Sequence, residues 1–186
     1  MRIFLAFPLP EEVKAVARKA VSQLVKSFPK LPVLWIRDEN LHVSMEFLGD
    51  INQAQLLVFN DIIHDEVSKT PAFEFQLGKL DCVPDFIKPQ VLILRVKEKD
   101  GNVSYELRRR IQQRLIANKI PPDEKSWIPH ITIGRIKKPS ELNVNFFEQY
   151  SVDGTAWKAE QLDLYNSTLT PEGAIYEMLK TFPLMK

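Results

Sequence analysis

Apolar positions along this chain change their period several times, and each change marks an element. Residues 2–7 carry Ile3, Leu5 and Phe7 on one parity and Phe4 and Ala6 on the other. Apolar residues on both parities predict a central strand buried on both faces. Pro8 and Pro10 end it. Pro10-Glu11-Glu12 opens a helix, with proline at a tolerated early position and acids near the positive end of the helix dipole. Val13, Val16, Ala17, Ala20, Val21, Leu24 and Val25 form its apolar stripe, and Pro29 and Pro32 close the segment.

Val33 to Ile36 reads as a short strand and Asp38-Glu39-Asn40 as a turn. Leu41 to Leu48 alternates strictly: Leu41, Val43, Met45 and Phe47 fall on one face, and His42, Ser44 and Glu46 on the other. Gly49-Asp50 stops it. Asn52 to Lys69 has helical spacing, with Leu56, Phe59, Ile63 and Val67 in one stripe. Phe73 to Cys82 and Gln90 to Lys97 are further strands. Asn102 to Lys119 is a third long helix built on Val103, Leu107, Ile111 and Leu115. After Pro121-Pro122-Asp123-Glu124 comes the strand around Pro129-His130-Ile131-Thr132-Ile133-Gly134-Arg135. Pro139-Ser140-Glu141 is expected to start a short helix ending near Tyr150. Strands follow at Thr155 to Ala159, Glu160 to Leu169 and Ala174 to Phe182, the last two joined by the turn signal Thr170-Pro171-Glu172-Gly173.

Several strand pairs lack a connection long enough for a parallel crossover. The expected class is therefore α+β with mostly antiparallel sheets. A strand, a long helix and a His-x-hydroxyl strand occur in that order twice, nearly half the chain apart. No linker of flexible composition separates them, so residues 1–186 are read as one domain with two lobes.

Composition narrows the function. With 25 basic and 24 acidic residues among 186 the chain lacks the broad basic surface of a protein that grips long duplexes, yet a local phosphate pocket remains compatible. The single cysteine, Cys82, excludes an intrachain disulfide and a thiolate zinc cage, and reads as a small buried apolar residue. The opening MRIFLAFPLP is too short and too broken by proline for a signal segment, and no apolar run reaches the ~20 residues of a membrane span. A cytoplasmic protein without a membrane partner is expected.

The chemistry sits in the repeated pattern. Two of the three histidines, His42 and His130, each precede by two residues a hydroxyl, Ser44 and Thr132. Alternation places each His and hydroxyl side by side. Two such strands facing each other would put one imidazole on either side of a single phosphorus. A neutral imidazole then takes the proton from water while a protonated one supplies the leaving oxygen. Ser44, Thr132 and Arg135 would hold the non-bridging oxygens. Strict alternation points Arg135 away from His130, so its role requires a bulge or strand end at Gly134.

Other readings of these residues exist. Two histidines could share a metal, but the third ligand would have to be His64, whose place beside Asp65 and Glu66 on a helix reads as a solvated face. No metal and no cofactor is expected. Arg108, Arg109, Arg110 and Arg114 scatter around the third helix and read first as a solvated face, second as RNA contacts. Trp35, Trp127, Phe7 and Tyr165 are core residues or base-stacking groups.

The blocks Trp35 to Gly49, Trp127 to Arg135 and Leu162 to Tyr176, with the opening strand and its proline stop, resemble the RNA 2′,3′-cyclic phosphodiesterase family, also called 2′-5′ RNA ligases, among the two-histidine phosphoesterases. The likeness spans nearly the full length. It implies a bilobal, pseudo-symmetric α+β fold, with two mostly antiparallel sheets facing a central cleft and helices outside. It implies metal-independent opening of a terminal RNA 2′,3′-cyclic phosphate to a 2′-phosphate, with reverse 2′-5′ ligation as the same chemistry run backwards. By resemblance His42 is the proton donor and His130 the acceptor; the residues themselves do not order them. The implied partners are RNA ends carrying 2′,3′-cyclic phosphate, tRNA fragments included, and the chain is expected to be a monomer. Ser44 stands where the family more often has threonine, and Glu46 where a basic residue is common, on the predicted face of His42. The alternatives are a relative acting on 2′-5′ oligonucleotides or a small cyclic nucleotide, and a non-catalytic module that binds RNA ends.

Overall fold

The computed structural model describes residues 1–99, 101–138, 140–152, 154–171 and 173–186. In chain order its elements are β1 (Arg2–Pro8), α1 (Glu11–Ser27), β2 (Val33–Trp35), β3 (His42–Asp50), α2 (Gln53–Val67), β4 (Phe73–Val83), β5 (Val91–Glu98), α3 (Val103–Ala117), β6 (His130–Ile136), α4 (Val144–Gln149), β7 (Ala156–Ala159), β8 (Gln161–Thr170) and β9 (Gly173–Pro183). A single 3-10 turn, Asp38–Asn40, fills the predicted turn before β3. The class is α+β, and every pairing between named strands is antiparallel.

The strand order is β7-β4-β5-β6-β3-β1-β8-β9, with β2 added to β6. Read outward from its middle, this order is the same on both sides: a His-x-hydroxyl strand, the strand that precedes a long helix, then two more. The two expected sheets are joined into one, but only by one ladder pair, Val43 with Ile131. By contrast β1 with β3 and β5 with β6 are paired along most of their length.

The core lies on the sheet face turned away from the two motif histidines. Ile3, Leu5, Phe7, Val43, Leu92, Leu94, Ile131 and Ile133 belong to it. The helices cover that face. Val13, Ala17, Ala20 and Leu24 of α1, and Leu107, Ile111 and Leu115 of α3, are fully buried at helical spacing. Helix α2 starts at a capping box in which Asn52 Oδ1 accepts from Gln55 N–H and Gln55 Oε1 accepts from Asn52 N–H. Phe4, Ala6 and Ile93 are also buried, yet lie outside this core and form the floor of the opposite face.

Two sequence expectations are corrected here. The short fourth helix begins at Val144, with Asn143 as its cap, rather than near Ser140; Pro139 lies outside the described residues. Of the arginines of α3 only Arg109 stands on a solvated face, paired with Glu106; Arg108 is mostly buried, and Arg110 and Arg114 bridge to Glu66 and Asp65 on α2 at 2.9 Å. An arginine one turn from an apolar stripe can reach across the helix contact, so period alone misread them. The predicted turn between the last two strands includes Glu172, outside the described residues, but its flanks pair as expected, Thr170 with Gly173.

Candidate active site

Each motif strand carries an extra residue at the same distance from its histidine, and β3 has a second register shift further on, at Leu48. On β3, Leu5 pairs with Glu46 and Ala6 with Ser44, which leaves Met45 without a partner on β1. On β6, Leu92 pairs with Gly134 and Ile93 with Thr132, which leaves Ile133 without a partner on β5. Both are β-bulges, and a bulge reverses the parity of every later residue in its strand. Arg135 therefore returns to the face of His130, the face that the expected phosphate contact requires. The same device corrects the assignment of Glu46 and Phe47. Glu46 turns into the protein and is fully buried, while Phe47 comes out beside His42, half-exposed and stacked on Phe4 at 5.5 Å. Phe47 and Arg135 thus hold matching places in the two lobes.

Gly134 is needed where it stands. A Cβ there would meet Val33 Cγ1 at 2.6 Å and the Trp35 ring at 3.0 Å. Its absence lets β2 lie against the bulge, pairing Leu34 with Arg135.

The two imidazoles are held alike. His42 Nδ1 lies 2.8 Å from the Asn40 carbonyl, and His130 Nδ1 lies 2.7 Å from the Ile128 carbonyl, each two residues upstream. A carbonyl only accepts, so each Nδ1 carries the proton and each Nε2 keeps a lone pair. His42 Nε2 takes the Ser44 hydroxyl proton at 2.8 Å. The antiparallel pair Val43–Ile131 places Ser44 beside His130 and Thr132 beside His42. The two rings are then diagonal neighbours on one face, separated by about 7–8 Å in a regular ladder, which is room for one phosphate.

Burial pushes the His42 pKa down to about 4, and the charges of His130 and Arg135 push the same way. His130 is also lowered, by burial first and then by Arg95 and Arg135. Both rings are thus neutral near neutral pH. Around His42, Phe4 lies at 5.1 Å and Tyr176 at 5.4 Å, and Tyr165 stacks at 6.2 Å. A cleft of about 1010 Å³ lies beside the His42 ring, walled by its neighbours Phe4 and Tyr176 and by Trp35, Asn40, Phe47 and Arg135; His42, Ser44, His130 and Thr132 are not among its wall residues.

Several residues with a part in this site were not legible. Arg95 pairs with His130 across the β5–β6 ladder, so the two share a face, and its Nε donates to Asp81 Oδ2 at 2.9 Å. Trp127 Nε1 donates to the Ser44 carbonyl at 2.7 Å, bonding to β3 where the ladder to β6 has stopped. Buried Glu46 accepts from the Asp123 N–H at 2.7 Å and from Gln112 Nε2, and forms an ion pair with the Arg108 guanidinium at 2.8 Å. These bonds tie β3 to the loop that leads into β6. Only the oddity of a buried acid in an apolar strand could have signalled them.

His64 is exposed on α2, as expected, and among the described residues no group of three or more His, Cys, Asp or Glu converges. Cys82 is buried, its thiol pKa pushed up to about 12 by burial and by Asp81 and Asp85. No helix among the described residues is long and apolar enough to cross a membrane.

This geometry has counterparts. An RNA 2′,3′-cyclic phosphodiesterase of Methanocaldococcus jannaschii is 28% identical over 183 residues, covering 97% of this chain and 99% of that one. The enzyme of the same name from Thermotoga maritima is 28% identical over 179 residues, covering 96% and 93%. The crystal structure of TT0787 of Thermus thermophilus matches with a TM-score of 0.84 at 26% identity, covering 99% of this chain and 98% of that one. LigT of Escherichia coli in apo form shares the fold, with a TM-score of 0.73 at 19% identity over 100% of this chain and 98% of that one. The model of the 2′-5′ RNA ligase superfamily matches residues 17–168, and the chain belongs to that superfamily.

Proposed function

We propose that this protein hydrolyses the 2′,3′-cyclic phosphate at an RNA end to a 2′-phosphate, using two histidines as acid and base. The observation that carries this reading is the matched pair of imidazoles: each is fixed through Nδ1 by a carbonyl two residues upstream, and both lie on one face around the Val43–Ile131 pair. Curated relatives of nearly equal length bear the name of this activity.

In the step, water attacks phosphorus as His130 Nε2 takes its proton. The bond from phosphorus to O3′ breaks, and His42 Nε2 gives a proton to that oxygen, leaving a 3′-hydroxyl and a 2′-phosphate. Ser44, Thr132 and Arg135 hold the non-bridging oxygens as negative charge gathers on them. By itself the protein holds the His42 ring neutral at neutral pH; a bound anion raises its affinity for a proton. Arrival of the substrate thus arms the acid. With the 5′-hydroxyl of a second RNA in place of water, the same roles join RNA ends: His130 takes the hydroxyl proton, the bond from phosphorus to O3′ breaks, His42 protonates that oxygen, and a 2′-5′ bond remains. The chain acts as one two-lobed domain of residues 1–186, as a cytoplasmic monomer, on RNA ends that include tRNA fragments.

The test is incubation with an oligoribonucleotide ending in 2′,3′-cyclic phosphate. The expected product carries its phosphate on the 2′ oxygen. A 3′-phosphate, or tight binding with no product, would refute the reading.

A further inference from the structure

The sheet face that bears His130 does not end at β6. Arg95 lies across the ladder from His130, and the same face continues over β5, β4 and β7. Lys97 on β5 pairs with Gln76 on β4, and Gln76 with Ala156 on β7. Lys158 on β7 pairs with Glu74. Cross-strand partners share a face, so Arg95, Lys97 and Lys158 all lie on the side of His130. Lys79 joins them. The β4–β5 register shifts between Leu77 and Leu80, and Gly78 packs so closely on Arg95 that a Cβ there would sit 3.2 Å from Arg95 Cβ.

The charge balance is positive. Asp81 is spent on Arg95 at 2.9 Å and lies 3.8 Å from Lys79, and Glu74 is paired with Lys99 at 3.3 Å. Glu160 approaches Lys158 only to 3.6 Å. Among the described residues Lys97 has no carboxylate partner. The lysines reach far into solvent: the side chains of Lys79 and Lys158 are 71% and 57% exposed. The matching face of the other lobe is different. There, among the described residues, Phe4, Tyr165 and Asp163 of β1 and β8 stand in place of a row of cations.

From this asymmetry we infer that the RNA strand leading to the cyclic end leaves the cleft over β5, β4 and β7, its phosphates lying on Arg95, Lys97, Lys79 and Lys158. The inference rests on the phosphodiesterase reading above and extends it. The walled cleft beside His42 takes the terminal nucleoside, and the open basic lane takes the backbone behind it. Three strand spacings, about 14 Å, separate β6 from β7. A rigid cationic face of that width engages consecutive phosphates without regard to base, so the contact is salt-sensitive and sequence-tolerant.

The test compares the native chain with a K79Q/K97Q/K158Q variant on two substrates: an oligoribonucleotide ending in 2′,3′-cyclic phosphate, and cytidine 2′,3′-cyclic monophosphate, which lacks a preceding phosphate. On the oligonucleotide KM should rise about tenfold. The slope of log kcat/KM against log salt should shrink by about 2, at roughly 0.7 per phosphate contact on a single strand. On the mononucleotide kcat/KM should not change. An unchanged salt slope, or an equal loss on both substrates, overturns the lane. A native chain that opens neither substrate instead overturns the phosphodiesterase reading, so the two failures are distinct.

Discussion

The Asp123 amide, in the loop before β6, donates to the carboxylate of Glu46 on β3 at 2.7 Å, and β3 and β6 themselves share only one ladder pair. Glu46 follows Ser44 by two residues on β3, and Asp123 belongs to the loop that delivers His130. With so little ladder between β3 and β6, the spacing of the two imidazoles depends on such ties. Arg108 adds two more, donating to the Met45 and Asp123 carbonyls at 2.9 Å each.

Glu46 and Arg108 are both buried, so breaking the pair should be costly. Burial raises the Glu46 pKa against the pull of its donors. Glu46→Ala strands the guanidinium and should cost about 3–5 kcal/mol, read from chemical denaturation. The double change Glu46→Met with Arg108→Met removes both charges and should recover most of that loss. Recovery of stability without recovery of kcat would assign the pair to positioning as well as to folding.

Trp127 tests the tie from the other lobe. Trp127→Phe keeps the ring against Tyr105 and loses the N–H that bonds the Ser44 carbonyl. Stability should fall by about 1 kcal/mol, within the range for an acceptor left unpaired. Because Ser44 and His42 sit on the loosened strand, kcat should fall more than KM rises in steady-state assays. A change in KM alone would make Trp127 a binding residue instead.

The lowered histidine pKa values set the pH behaviour. The native His42 value of about 4 lies below the 6.5 of the unfolded chain. Between those values the unfolded chain binds a proton that the native site refuses. The His42 contribution is therefore complete above pH 6.5 and is lost as pH falls toward 4. Urea titrations should show this slope, and His42→Gln should flatten it. The anion in the cleft acts in the opposite direction. Inorganic phosphate should bind with proton uptake near pH 7, seen as a dependence of calorimetric heat on the buffer. In catalysis kcat/KM should be bell-shaped with its maximum below pH 6.5, while the alkaline limb of kcat should move up because the bound phosphate favours the imidazolium.

Arg135 reaches the cleft only because of the bulge at Ile133. Arg135→Ala should lower kcat/KM by at least ~10-fold, in line with loss of a charge-assisted bond. Gly134→Ala should act in the same direction, since its Cβ forces Val33 and Trp35 away and β2 with them. Unchanged turnover in Arg135→Ala would make it a surface residue.

Much of this was legible along the chain. Long helices with a single stripe, such as Leu107, Ile111 and Leu115, declare themselves by period, and the His-x-hydroxyl strands by repetition. What alternation could not yield was parity beyond a bulge. One inserted residue exchanges the faces of Glu46 and Phe47, and nothing local in Val43-Ser44-Met45 announces it. At Ile133 the following glycine gave the hint. The tie from Trp127 to Ser44 and the lane through Arg95 were illegible for another reason: each joins residues far apart in sequence, whose meeting depends on strand order rather than on any pattern within a strand.

Division of labour between the two histidines is the central claim, and a change of leaving group tests it most directly. The measurement is hydrolysis of RNA ending in a 2′,3′-cyclic phosphate whose O3′ is replaced by sulfur, because a thiolate leaves without needing a proton. His42→Ala and His130→Ala should each lose at least ~10²-fold on the oxygen substrate. On the sulfur substrate His42→Ala should regain most of its rate and His130→Ala should not. Rescue of His130→Ala, of both variants or of neither would contradict the assignment of donor to His42 and acceptor to His130.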